Sequence, residues 1–195
     1  MAKNRYDPEC DGCKRSQKLD NVPGGIAELP GDWVLNQYQG DEGYLGWMAL
    51  QPRFHRREFT ELETSELQAL GEDIKKVELA LRSYWEAQFP ADKVKRVYVV
   101  YFYESIYNEP TPTGFHLHIH LIPRTERLGK LLRECQQSPS DPKIKHSSIF
   151  AWGIYRVTRH CDFPDEYRYN RRIESDRKKA LELLNFIRDS LDAAG

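Results

Sequence analysis

The sequence predicts an α+β domain: a mostly antiparallel sheet of about five strands, one long helix, and a helical C-terminal extension. Three observations carry this reading. Short β-branched and aromatic runs are joined by hairpin-length links, one long segment has the three-and-four spacing of an amphipathic helix, and the order strand–strand–helix–strand–strand favours antiparallel pairing. With 195 residues, 39% of them hydrophobic and 30% charged, the chain is the size of one ordinary domain. That length is enough to bury a core without disulfide staples.

The elements follow in chain order. Asn21 to Gly31 is rich in Gly and Pro and reads as loop. Trp33-Val34-Leu35 and Tyr44 to Leu50 are predicted strands, with a turn over Gln39 to Gly43 between them and Pro52 ending the second. Ser65 to Phe89 is the clearest helix. Leu67, Leu70, Ile74, Val77, Leu81 and Trp85 line one face, Ser65 with Gln68 resembles a capping box, and Pro90 stops the run. Val94 to Tyr103 is a predicted strand, Glu104 to Gly114 with Pro110 and Pro112 a loop, and Phe115 to Ile122 an alternating strand closed by Pro123. Beyond it the pattern predicts a short helix over Leu128 to Cys135, a polar loop over Gln136 to Lys145, a strand over Ile149 to Val157 and a terminal helix over Glu174 to Leu191. Residues 1–125 are thus expected to form the main domain, and 126–195 an extension packed on it.

Composition excludes some functions. Lys and Arg number 29 against 30 Asp and Glu, a net charge of −1, which argues against nucleic-acid binding through bulk positive charge but leaves a local basic groove open. No apolar run approaches the ~20 residues of a membrane span; the greasiest is Val97 to Tyr103. Met1 to Asp20 is polar and lacks the apolar core of a secretory signal, so a soluble, cytoplasmic protein is expected.

Three of the six histidines fall in Gly114-Phe115-His116-Leu117-His118-Ile119-His120-Leu121-Ile122-Pro123-Arg124. On a strand, His116, His118 and His120 share one face and Phe115, Leu117, Ile119 and Leu121 the other. Three readings fit: a half-exposed strand, a three-histidine metal cluster, or imidazoles used as nucleophile and proton donor. Cys10-Asp11-Gly12-Cys13 is a C-x-x-C pair, which fits two of four metal ligands, a redox pair or an unbound surface pair. Cys135, His146, His160 and Cys161 could form a second metal site, but their irregular spacing reads better as scattered structural residues. Tyr155, Tyr167 and Tyr169 interleave with Arg156, Arg159, Arg168, Arg171 and Arg172, a mixture that could stack on bases but reads better as a solvated surface with snorkelling arginines.

His-Leu-His-Ile-His-Leu-Ile-Pro-Arg resembles the signature of the histidine triad family, His-φ-His-φ-His-φ-φ with φ apolar. Upstream, Gly46 to His55 resembles that family's G-H-apolar-strand-P-K-x-H segment, a helix follows, and Asn108-Glu109 resembles its loop. The resemblance spans about residues 10 to 125. It implies a histidine triad-like fold and an enzyme that hydrolyses or transfers nucleotidyl groups, acting on dinucleoside polyphosphates or nucleoside phosphoramidates. His118 would attack the α-phosphorus and His120 would donate hydrogen bonds. Asn36, Asn108, Thr113 and Arg124 would contact substrate; for Asn36 a plain strand-end role, and for Arg124 an exposed strand-end role, stay open beside this. The resemblance further implies a structural zinc on Cys10, Cys13, His55 and His116, and a homodimer. The loop departs from the family's Gly-Gln-Ser/Thr pattern: Thr113 could supply the hydroxyl, while Pro112 stands where an amide side chain would be. The alternative is a nucleotide- or nucleic-acid-binding adaptor that keeps the scaffold but turns over poorly.

Overall fold

A computed structural model describes residues 6–18, 22, 24–38, 43–101, 116–137 and 163–193, the side chains of 135–137 excepted. Its elements are α1 (Asp11–Ser16), β1 (Ala27–Leu29), β2 (Trp33–Gln37), β3 (Gly43–Tyr44), β4 (Met48–Pro52), α2 (Thr64–Gln88), β5 (Val94–Tyr101), β6 (Ile119–Thr125), α3 (Glu126–Gln137), β7 (Arg168–Tyr169) and α4 (Glu174–Asp192), with short 3-10 turns at Phe59–Glu61 and Asp165–Tyr167. The main sheet has five strands in the order β1-β2-β4-β6-β5, and every neighbouring pair is antiparallel. This is the predicted α+β architecture.

Register sorts the side chains into two faces. Leu35 pairs with Leu50, and Leu50 with Ile119, so these three lie in one row. Trp33 is on the same face, and its indole N–H donates to the Glu66 carbonyl of α2 at 2.9 Å. The long helix therefore covers this side of the sheet. Helix α4 packs in turn on α2, placing Leu183, Leu184 and Ile187 in the same core as Leu50, Leu121, Trp33 and Trp85. The opposite face carries the row Asn36, Ala49 and His120. There α1 is docked, with the Gln51 amide N–H donating to the Gly12 carbonyl at 2.8 Å.

Several sequence expectations are corrected. The strand predicted over Tyr44 to Leu50 is two strands, because the chain turns at Gly46. That residue has a φ of +81°, and a Cβ there would lie 2.6 Å from the Trp85 ring. Tyr44 then pairs with Arg168 in a separate ribbon of β3 and β7. Helix α2 starts after Glu63, and the capping box is Glu63 with Glu66, whose carboxylate accepts the Glu63 N–H at 2.7 Å; Ser65 and Gln68 lie within the helix.

Strand β6 starts at Ile119 rather than Phe115 and runs through Pro123 to Thr125. β4 pairs with it only from Ile119 to Leu121. Past that point, among the described residues, β6 is paired on one side only, with Pro123 opposite Val97 of β5. Tyr167 and Tyr169 are core residues, 2% and 1% exposed, rather than part of a solvated surface. Tyr167 packs on Trp85 and Phe89 and donates its hydroxyl proton to Asp92 at 2.8 Å. The predicted turn over Gln39 to Gly43 (apart from Gly43), the loop over Glu104 to Gly114 and the strand over Ile149 to Val157 lie outside the described residues. No helix among the described residues is long and apolar enough to cross a membrane.

One buried acid on the helix face has a measurable consequence. Asp73 is 2% exposed and its Oδ2 has no hydrogen-bond partner. Burial raises its pKa from 3.8 to about 6, with Lys76 and the Gly31 N–H pulling the other way. The folded chain thus binds this proton more tightly than the unfolded chain, and stability falls as the pH rises from about 4 through about 6. Asp73→Asn is expected to remove that decline, gaining on the order of 2 kcal/mol over wild type at pH 7 and almost nothing at pH 4. Urea unfolding at the two pH values measures it; an equal effect at both would contradict the assignment.

Candidate active site and metal centre

The N-terminal segment reaches the sheet through its cysteines. Cys10 and Cys13 are both fully buried. Ser16 at the end of α1 donates its hydroxyl proton to the Arg53 carbonyl at 2.7 Å, which fastens the helix beside the end of β4. Gly12 between the cysteines is a steric necessity, since a Cβ there would fall 2.4 Å from His116 Cβ. His116 Nδ1 lies 3.6 Å from Cys10 Sγ and 3.5 Å from Cys13 Sγ, and His55 Nδ1 lies 3.3 Å from Cys13 Sγ. All four ligand atoms are within 4.8 Å of one another.

The three sulfur–nitrogen contacts match the edges of a tetrahedron. With metal–nitrogen and metal–sulfur bonds of about 2.0 to 2.3 Å, its edges measure roughly 3.3 to 3.8 Å. The protonation pattern fits as well. His116 Nε2 donates to the Pro52 carbonyl at 2.9 Å, which leaves the lone pair on Nδ1, the atom facing the sulfurs. Burial lowers the His116 pKa to about 4, with the Pro52 carbonyl opposing, so the ring is neutral as a ligand must be. Burial pushes the Cys13 thiol up to about 12; the Asp7 backbone N–H opposes and Cys10 adds to the rise. A cation between the two sulfurs reverses that balance. The four residues are placed to hold a metal ion.

The centre is braced from behind. The Leu117 N–H donates to the Arg56 carbonyl at 2.7 Å, joining the residues that follow the two histidines. The Arg56 guanidinium pairs with Glu66 of α2 at 2.9 Å, with the two side chains 1% and 2% exposed. A cavity of about 360 Å³ lies beside His55, lined also by Arg57, Thr60 and Glu63; neither His118 nor His120 is in its wall.

His118 and His120 form a ring pair with centroids 4.8 Å apart and planes at 85°. His118 is half-buried, whereas His120 is 1% exposed. Their tautomers are set by different partners. His118 Nδ1 lies 2.9 Å from the His116 carbonyl, which only accepts, so Nδ1 carries the proton and the neutral ring has its lone pair on Nε2. His120 Nδ1 lies 2.9 Å from the Trp47 indole N–H, which only donates, so here Nδ1 is bare and Nε2 carries the proton. Burial, and then the neighbouring His118, lowers the His120 pKa to about 3 and keeps that ring neutral. The pair offers a nucleophilic nitrogen on one ring and an N–H donor on the other.

The other residues predicted for the site are placed as follows. Asn36 is 1% exposed and lies in the His120 row, two strands away. Its amide donates to the Gln37 carbonyl at 2.7 Å, and its Oδ1 is buried without a hydrogen-bond partner. Arg124 lies on the His120 face but four positions along β6, about 13 Å away. Its guanidinium donates to the Tyr98 hydroxyl at 2.8 Å and abuts Gly129 of α3. Asn108 and Thr113 lie outside the described residues, as do His146, His160 and Cys161. Trp47 and Tyr38 beside His120 were not predicted. The one available signal was that Trp47 stands where the resembled segment has a histidine.

No protein-family model matches the chain, and no curated protein matches it. Solved structures do. A hypothetical histidine triad nucleotide-binding protein from Sulfolobus tokodaii strain7 is similar over 93% of this chain and 91% of its own, at 17% identity and a TM-score of 0.50. A Hit-like protein involved in cell-cycle regulation from Bartonella henselae covers 92% and 99%, at 15% identity and a TM-score of 0.47. A zinc-bound histidine triad family protein from Mycobacterium smegmatis covers 95% and 97%, at 12% identity and a TM-score of 0.46. The likeness is one of fold.

Proposed function

We propose, for a chain with the histidine triad fold, that it is a nucleotidyl hydrolase or transferase acting at the α-phosphate through His118. The observation that carries this is the His118–His120 pair, its rings 4.8 Å apart and in opposite tautomers. In the first step His118 Nε2 attacks phosphorus and forms a nucleotidyl-imidazole. The His116 carbonyl accepts the Nδ1–H and steadies the positive charge that the ring acquires. His120 Nε2–H supplies a hydrogen bond to the reacting phosphate. For Asn36 a ribose contact is supported by its orphaned Oδ1 and by its place in the His120 row, two strand spacings or about 10 Å away along the sheet.

The Cys₂His₂ chemistry of Cys10, Cys13, His55 and His116 favours zinc in a closed structural site. Zinc there would pin three distant segments together, and it leaves His116 out of the acid–base chemistry. A homodimer is proposed through the outer edge of β5, where Val99 is 46% exposed. Sedimentation of the wild type at twice the chain mass is the expected result, and Val99→Lys should shift it to monomer.

The functional test is incubation with a diadenosine polyphosphate. Mononucleotide release is expected, with an acid-labile nucleotidyl adduct on His118 found by mass spectrometry after an alkaline quench. A zinc-loaded protein that releases nothing, yet binds single-stranded nucleic acid in a salt-dependent way, would instead be the adaptor.

A further inference from the structure

The Trp47 indole has a single polar group, an N–H that donates and never accepts. It is directed at His120 Nδ1 at 2.9 Å, where Trp47 is 2% and His120 1% exposed. Tyr38 holds it there, stacked on the indole at 4.6 Å and 18°, with its ring edge against His120 at 5.1 Å. The Tyr38 N–H also donates to the Trp47 carbonyl at 2.7 Å, so the backbones of the two stacked residues are tied together. An imidazole protonated on both nitrogens is a donor at each and has no lone pair for an indole N–H. Charging His120 therefore sets two donors against one another inside packed aromatic rings.

We propose that Trp47 is a positioning residue that locks His120 as a neutral Nε2–H donor, and thereby restricts the site to leaving groups that depart as anions. This inference rests on the reading of His118 as nucleophile. It selects phosphoanhydrides over phosphoramidates and alkyl esters within that reaction. As His118 Nε2 gives its electron pair to the new P–N bond, the bridging P–O bond breaks. Its electron pair leaves on the oxygen of a departing phosphate chain, which is stable as an anion near neutral pH. His120 hydrogen-bonds that oxygen and keeps its proton. Water then attacks phosphorus, the P–N pair returns to Nε2, and the water proton passes to solvent. An amide or alkoxide leaving group must receive a proton in order to leave, and the N–H of a neutral imidazole is far too weak an acid to supply one.

Two measurements on the zinc-loaded full chain test this. Long-range proton–nitrogen NMR spectra of the 15N-histidine-labelled protein should show His120 with a bare Nδ1 and a protonated Nε2. Trp47→Phe, which keeps a ring under Tyr38 but removes the donor, should give a mixture of tautomers. The second measurement compares kcat/KM for adenosine 5′-(p-nitrophenyl phosphate) and adenosine 5′-phosphoramidate at pH 7. General-acid assistance contributes about 10² to 10⁴, so the wild type should favour the nitrophenyl ester by at least ~10³ and Trp47→Phe should narrow the ratio about tenfold. A protonated Nδ1 in the wild type overturns the proposal, as does a ratio that Trp47→Phe leaves unchanged. Should Trp47→Phe fail to fold, the wild-type tautomer alone decides the lock. Turnover of neither substrate, with the tautomer as stated, overturns the enzyme reading and the leaving-group restriction while upholding the lock.

Discussion

His118→Ala is expected to lower nucleotide release by about 10³-fold or more while leaving the fold and nucleotide affinity almost unchanged. The ring is half-buried rather than sealed, and its Nδ1–H bonds to a backbone carbonyl two residues away. Its loss therefore opens no large cavity in the core, and thermal unfolding should move by no more than a few degrees. In the proposed reaction the nucleophile has no substitute: the proton of neutral His120 is on Nε2, and its Nδ1 is covered by the Trp47 indole. His118→Gly with added imidazole should recover part of the activity, because a free imidazole can enter the vacated place. Turnover of His118→Ala within tenfold of wild type would sink the nucleophile assignment, whatever the state of the metal centre.

Cys10→Ala should reduce bound zinc from about one ion per chain to a small fraction of that, and lower stability by about 3 kcal/mol, or ~10 °C in Tm for a chain of this length. The magnitude follows from what the centre joins. Helix α1 has six residues and makes one side-chain hydrogen bond to β4, through Gln51, and one to the Arg53 carbonyl beyond it, through Ser16. Without its ligands it keeps these two bonds, a third from the adjacent Gln17 amide to the Arg53 carbonyl at 3.2 Å, and the exposed Lys18–Glu28 ion pair just beyond it. Activity should fall too, because the His116 carbonyl that fixes the His118 tautomer belongs to a ligand residue. Elemental analysis and thermal unfolding with and without a chelator read the effect. Metal content that survives Cys10→Ala would remove the centre.

How far the sequence could be read varied with the range of the interactions involved. Alternation made Ile119, His120 and Leu121 legible, since one face is core and pairs across β4. The start of the strand was not legible. His116 to His118 have the same alternating pattern, but there the chain leaves the ladder: the Leu117 N–H bonds to Arg56 and the His116 ring turns to Pro52 and the cysteines. The metal ligands could be named because side-chain type and resemblance agreed at all four positions. Trp47 could not, because its role depends on a partner 73 residues away in the chain. Tyr167 and Tyr169 misled for a related reason. Arginines beside them suggested a wet surface, whereas the aromatic cluster of Tyr44, Trp85 and Phe89 that buries Tyr167 is distant in sequence.

The sulfur–imidazole contacts of the metal centre span 42, 103 and 106 residues. Contacts of such separation are entropically late, because intervening chain must be organised before its ends can meet. The α2 helix and the β5–β6 ladder can therefore assemble first, with the cation-binding knot closing near the end of the folding pathway. Since the knot also carries the carbonyl that aims His118, a nascent chain would acquire its shape before its reactivity, and metal supply during synthesis would decide how many finished molecules are competent.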